Sequence, residues 1–103
     1  MSASFWLEPH GGEDNFNLTY NLSKMFQCVS GGDSLSEWMT ARDGMTAQEI
    51  LPDAELILDR LQAEPGLVRM NPSNGWGSYD NFLKVWGEFV AALYVSPTKI
   101  LGS

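Results

Sequence analysis

The sequence predicts an α+β domain: a small antiparallel sheet, made by an N-terminal hairpin and a C-terminal strand, packed by about four helices. Three observations carry that expectation. Apolar and polar residues alternate near the start of the chain, the apolar spacing becomes helical beyond Leu22, and a short β-prone segment follows the last helical stripe. With 103 residues, 44% hydrophobic and 12% aromatic, the chain suffices for one packed domain over 1–103 and is too short for two.

The first strand centres on Phe5-Trp6-Leu7, between Ser4 and Glu8-Pro9. The turn-rich stretch from His10 to Asn15 reverses the chain. Phe16, Leu18, Tyr20 and Leu22 then alternate with Asn17, Thr19 and Asn21, the period of a half-buried strand. Leu22, Met25, Phe26 and Val29 form the stripe of a first helix, with Asn21 as a plausible N-cap and Ser30-Gly31-Gly32 as its end. The strand and helix patterns overlap between Thr19 and Leu22, so periodicity alone does not place the boundary.

Ser34 and Glu37 have capping-box spacing, which predicts a second short helix through Leu35, Trp38, Met39 and Ala41, stopped at Asp43-Gly44. Thr46 and Glu49 repeat the box, with Met45 and Ile50 placed for a hydrophobic staple. The third helix buries Ile50, Ala54, Ile57, Leu58 and Leu61. Pro52 predicts a kink at Leu51, or a new helix with the proline in its first turn. Glu64-Pro65-Gly66 ends this element, and 67–77 reads as irregular. Ser78 caps the last helix, with Asp80 in its first turn and Phe82, Trp86, Phe89 and Leu93 on its buried line. After Ser96-Pro97, a third strand through Ile100 would return to the hairpin, bury Ile100 and protect an edge.

Composition narrows the function. Thirteen acidic against six basic side chains give a net charge of −7, which argues against direct nucleic-acid binding and against an anionic membrane surface. No charged-then-apolar leader and no long apolar run suggests export or a membrane span. Cys28 is the only cysteine and His10 the only histidine, so a disulfide framework is excluded and zinc or a thiol–imidazole nucleophile has little to work with. A single thiol suits a reducing compartment such as the cytoplasm, and Cys28 itself reads as a buried residue of the first helix. No cofactor or metal is implied. Glu8, Glu13 and Asp14 fit no calcium loop and read as a solvated turn, although Glu8 follows an apolar strand and could face inward.

Two segments are candidate binding elements. In Asn71-Pro72-Ser73-Asn74-Gly75-Trp76-Gly77-Ser78, glycines flank an indole directly before a helix start. Glycines admit close backbone approach, the indole can stack, and the first helical amides can hold an anion. The plain alternative is a turn with Trp76 as core filler. Thr19-Tyr20-Asn21 gathers hydroxyl, phenol and amide at a strand-to-helix junction, or else is only a cap beside a half-buried tyrosine. The acid-rich face Asp53, Glu55, Asp59, Glu64 reads first as a solvated surface and second as a phosphate mimic.

With Thr19-Tyr20-Asn21-Leu22-Ser23-Lys24-Met25 and the 71–79 segment in view, the chain resembles a widespread set of small bacteriophage and prophage proteins. The likeness runs from about Glu8 to Leu101, and Thr19, Asn21, Asn74, Gly75, Trp76 and Gly77 match the motifs. It implies a phage accessory setting and brings no biochemical activity with it. The expectation is therefore a non-enzymatic protein that sequesters a small host ligand, such as a nucleotide-derived signal. Trp76 would stack, and Asn21 and Asn74 would read polar edges. Gly75, Gly77 and Ser78 would bring backbone close, with Thr19, Tyr20 and Glu8 alongside and Arg69 or Arg42 neutralising charge. The rival is an acidic inhibitor of a host nuclease or defence protein. Self-association remains open under either.

Overall fold

The computed structural model describes residues 2–8, 15–71 and 78–103. Strand β1 (Ser2–Glu8) lies between β2 (Asn15–Thr19) and β3 (Ile100–Gly102) in an antiparallel sheet of order β2-β1-β3. Four α-helices are described: α1 (Ser23–Ser30), α2 (Leu35–Arg42), α3 (Ala47–Ala63) and α4 (Tyr79–Val95). Two 3₁₀ segments, Tyr20–Leu22 and Pro65–Met70, adjoin α1 and α3. The α+β expectation holds.

Alternation sets the sheet. Ala3, Phe5, Leu7, Phe16 and Leu18 are buried, while Ser4, Glu8, Asn15 and Asn17 stand exposed on the other face. Phe5 pairs with Phe16 in register, their rings stack at 5.6 Å, and the edge of Phe89 from α4 meets both at 5.0 and 5.3 Å. Trp86 is the hub of this core, with Phe5, Phe26, Trp38, Phe82 and Phe89 around it, the nearest ring at 5.1 Å. Its indole Nε1–H donates to the Ala54 carbonyl at 2.9 Å, so the donor that a buried tryptophan must satisfy is also the link between α4 and α3.

Two local expectations change and two open points are settled. Strand β2 stops at Thr19 because the Thr19 hydroxyl accepts the Asn21 N–H at 3.3 Å, a short-range bond that turns the chain out of the ladder. Leu22, not Asn21, is therefore the residue that opens α1. Cys28 is exposed, since it lies on the flank of the stripe that buries Met25, Phe26 and Val29. Helix α3 runs through Pro52 as a single element. Its first amides are held from outside, Ala47 by the Lys99 carbonyl at 2.7 Å and Gln48 by the Pro97 carbonyl at 3.0 Å. With the start of the helix anchored in this way, the proline costs the carbonyl of Gln48 its intrahelical donor without ending the element.

Strand β3 returns to the hairpin as expected, but with the opposite parity. Leu101 faces Leu7 and is buried, whereas Ile100 faces Glu8 and is 41% exposed. The far side of β3 is covered too: the Leu101 N–H donates to the Met45 carbonyl and the Gly44 N–H to the Leu101 carbonyl, both at 2.9 Å. Gly102 leaves room for the indole of Trp6, into which a Cβ at this position would project. Both capping boxes form. The Ser34 hydroxyl accepts the Glu37 N–H at 3.2 Å while Glu37 accepts the Ser34 N–H at 3.0 Å, and Glu49 accepts the Thr46 N–H at 3.1 Å and its hydroxyl at 2.8 Å.

Candidate functional site

The start of α4 is held from two sides. Ser78 Oγ accepts the Asn81 N–H at 3.1 Å, and the Asn71 side-chain oxygen accepts the Tyr79 N–H at 2.7 Å. The Tyr79 phenol donates to the Leu61 carbonyl, fastening the same turn to the end of α3. Two of the four amides that a helix leaves unpaired are thus engaged, and Asp80 adds negative charge beside them. That leaves less of the helix start for an anion than the sequence suggested. Asn74, Gly75, Trp76 and Gly77 lie outside the described residues, as do His10, Glu13 and Asp14.

The other expected site residues are dispersed. Glu8 faces outward and accepts the Trp6 indole N–H at 2.9 Å; the inward orientation is corrected by strand parity. Thr19 is half-buried and Asn21 exposed, and no hydrogen bond among the described residues joins Asn21 to Asn71 or Ser78. The backbone of Tyr20 opens the 3₁₀ turn between them. Arg69 is exposed at the end of the second 3₁₀ segment, two residues before Asn71. Arg42 is committed elsewhere, lying 4.1 Å from the Trp38 ring centroid and pairing with Asp53 at 3.1 Å. Among the described residues no cluster of three histidine, cysteine or acidic side chains converges as a cation site.

A concavity the sequence did not reveal lies where α1, α3 and the second 3₁₀ segment meet. It has a volume of about 440 Å³ and is lined by Cys28, Val29, Arg60, Ala63, Glu64 and Leu67. That size falls within the range of small-molecule sites. Arg60 Nη1 donates to the Val29 carbonyl at 3.1 Å, satisfying a carbonyl at the end of α1 and setting the guanidinium in the wall. The Cys28 thiol contacts the Met70 thioether at 3.8 Å, which ties the 3₁₀ segment to α1. Each contributor looks ordinary in sequence. Only the turn at Glu64-Pro65-Gly66, which swings the chain off the end of α3, hinted that a groove would open there.

Large apolar side chains and acids are also exposed on α3 and α4. Leu56 on α3 and Tyr94 and Val95 on α4 are 46%, 58% and 82% exposed. The Tyr94 hydroxyl donates to Glu55 at 2.7 Å, and that bond, then burial and the negative charges of Glu55 and Asp59, push the phenol pKa up. Asp53 and Asp59 are exposed on the same helix. No helix among the described residues is long and apolar enough to cross a membrane. Comparison of the chain with protein-family models, with curated proteins and with solved structures finds no match.

Proposed function

We propose that this chain is a non-enzymatic accessory protein of the phage type, acting in the host cytoplasm by binding and sequestering a small host ligand. The cleft between α1, α3 and the second 3₁₀ segment carries the reading: about 440 Å³ with an apolar floor and two charged groups. The absence of any acid–base constellation in the sequence beyond scattered carboxylates supports binding over catalysis. Residues 72–77, which carry one of the motifs of the phage resemblance, follow in sequence directly after Asn71 and the 3₁₀ segment that lines this cleft.

The test is thermal. A ligand at a hundredfold excess over its Kd adds about 2.7 kcal/mol, or roughly 10–20 °C in a domain of this size. A small-molecule extract of bacterial cells should raise the melting temperature of the native protein and leave Ala63→Trp, which fills the cleft, unchanged. An equal shift in both proteins, or none in either, defeats the reading. The exposed Val95 on α4, with exposed acids Asp53 and Asp59 on α3, favours a second reading, an inhibitor that docks on a host defence protein. Under that reading Val95→Glu, and not Ala63→Trp, abolishes activity.

A further inference from the structure

Arg60, in the last turn of α3, and Glu64, the exposed residue that ends the helix with non-helical backbone, line the same cavity. Here no ion pair or hydrogen bond among the described residues joins them: Arg60 spends Nη1 on the Val29 carbonyl, and the Glu64 carboxylate has no partner. The Val29 bond leaves the guanidinium its Nε and Nη2 edge, two parallel donors. The carboxylate offers two parallel acceptors. Val29, Ala63 and Leu67 supply apolar wall around both.

A ligand that satisfies such a site presents two adjacent acceptors beside two adjacent donors on one edge of an apolar, flat body. We propose that the cleft takes a guanine-type nucleobase or nucleoside, an inference that rests on the cleft being the binding site. The guanidinium donates to O6 and N7, and the carboxylate accepts from N1–H and the 2-amino group. Adenine offers one acceptor and one donor on the corresponding edge, so it leaves half of the site unpaired, the situation that discriminates most strongly between near-isosteres. The pair of protein charges cancels, so the preferred ligand is neutral. A phosphate in the same place would face Glu64 and the net charge of −7. A nucleoside body also suits a volume of about 440 Å³.

The experiment titrates the full chain by calorimetry with guanosine, inosine and adenosine. Guanosine should bind at least about tenfold more tightly than inosine, which lacks the 2-amino donor, and than adenosine. Glu64→Gln replaces one acceptor oxygen by a donor facing a donor, and should weaken guanosine at least about tenfold with the ligand-free melting temperature unchanged. Arg60→Lys keeps a donor for Val29 and removes the paired edge, and should erase the preference for guanosine over adenosine. Equal affinity for the three nucleosides, or a Glu64→Gln protein that binds guanosine normally, overturns the proposal. If guanosine fails while a cell extract still stabilises the native protein and not Ala63→Trp, the ligand class is wrong and the cleft stands. If the extract fails as well, both fall.

Discussion

Replacing Trp86 by phenylalanine tests the account of the core where it is most demanding. Trp86 is fully buried, touches five other aromatic rings and donates to Ala54 across the α3–α4 contact. Phenylalanine keeps a ring in the cluster and removes the donor together with the outer part of the indole. The hydrogen bond contributes about 1 kcal/mol. The ring volume lost, in a site hemmed by Phe26, Trp38 and Phe82, costs about 1–2 kcal/mol in transfer and residual cavity. The expected loss is therefore about 2–3 kcal/mol, read as a urea midpoint roughly 1–2 M lower in far-UV circular dichroism. Trp6→Phe is the control: that indole is half-buried and donates to the exposed Glu8, so its removal should cost less than about 1 kcal/mol. A Trp86→Phe protein within about 0.5 kcal/mol of the native one, or a control that loses as much, refutes the reasoning.

Two further outcomes follow from named contacts. Hydrogen bonds from Ser34 to Glu37 and from Thr46 to Glu49 hold both carboxyls below the usual glutamate range. Because the folded-state values are depressed, their support is complete above about pH 4.3, the unperturbed value, and is lost as pH falls through the folded values. A Glu37→Gln, Glu49→Gln protein should accordingly show a flatter acid limb in melting temperature between about pH 5 and pH 2 than the native chain, and an unchanged slope there would contradict it. Gly102→Ala drives a methyl group into the Trp6 indole, which is half-buried and able to swing out. The substitution should cost about 1 kcal/mol, lower the melting temperature by several degrees and alter the tryptophan emission.

How far the sequence announces this structure depends on the range of the signal. The capping boxes at Ser34 and Thr46 are four-residue patterns whose partners are their own neighbours, so they form as written. The stripe of α4 repeats often enough to leave one solution, and Trp38 and Trp86 are interior as their spacing requires. Pro52 does not divide the helix, and the sequence could not show why, because the carbonyls that hold the start of α3 come from Pro97 and Lys99, some fifty residues away. The parity of β3 could not be read from three residues, since either face of so short a strand can carry its one buried side chain. The cleft was illegible for a related reason. It is a gap left by the ends of three elements, and Cys28, Arg60 and Leu67 acquire meaning only when those ends are brought together. The indole of Trp76, on which the loop reading turned, lies outside the described residues.

The placement of β3 also orders events during synthesis. Strand β1 leaves the ribosome before β2 and β3 yet is the central strand, and one of its edges waits for residues 100–102. Helix α3 waits as well, because Pro97 and Lys99 supply the acceptors for its first amides. A nascent chain halted before residue 97 therefore exposes an open strand and an unanchored helix together, and a single late docking event closes both.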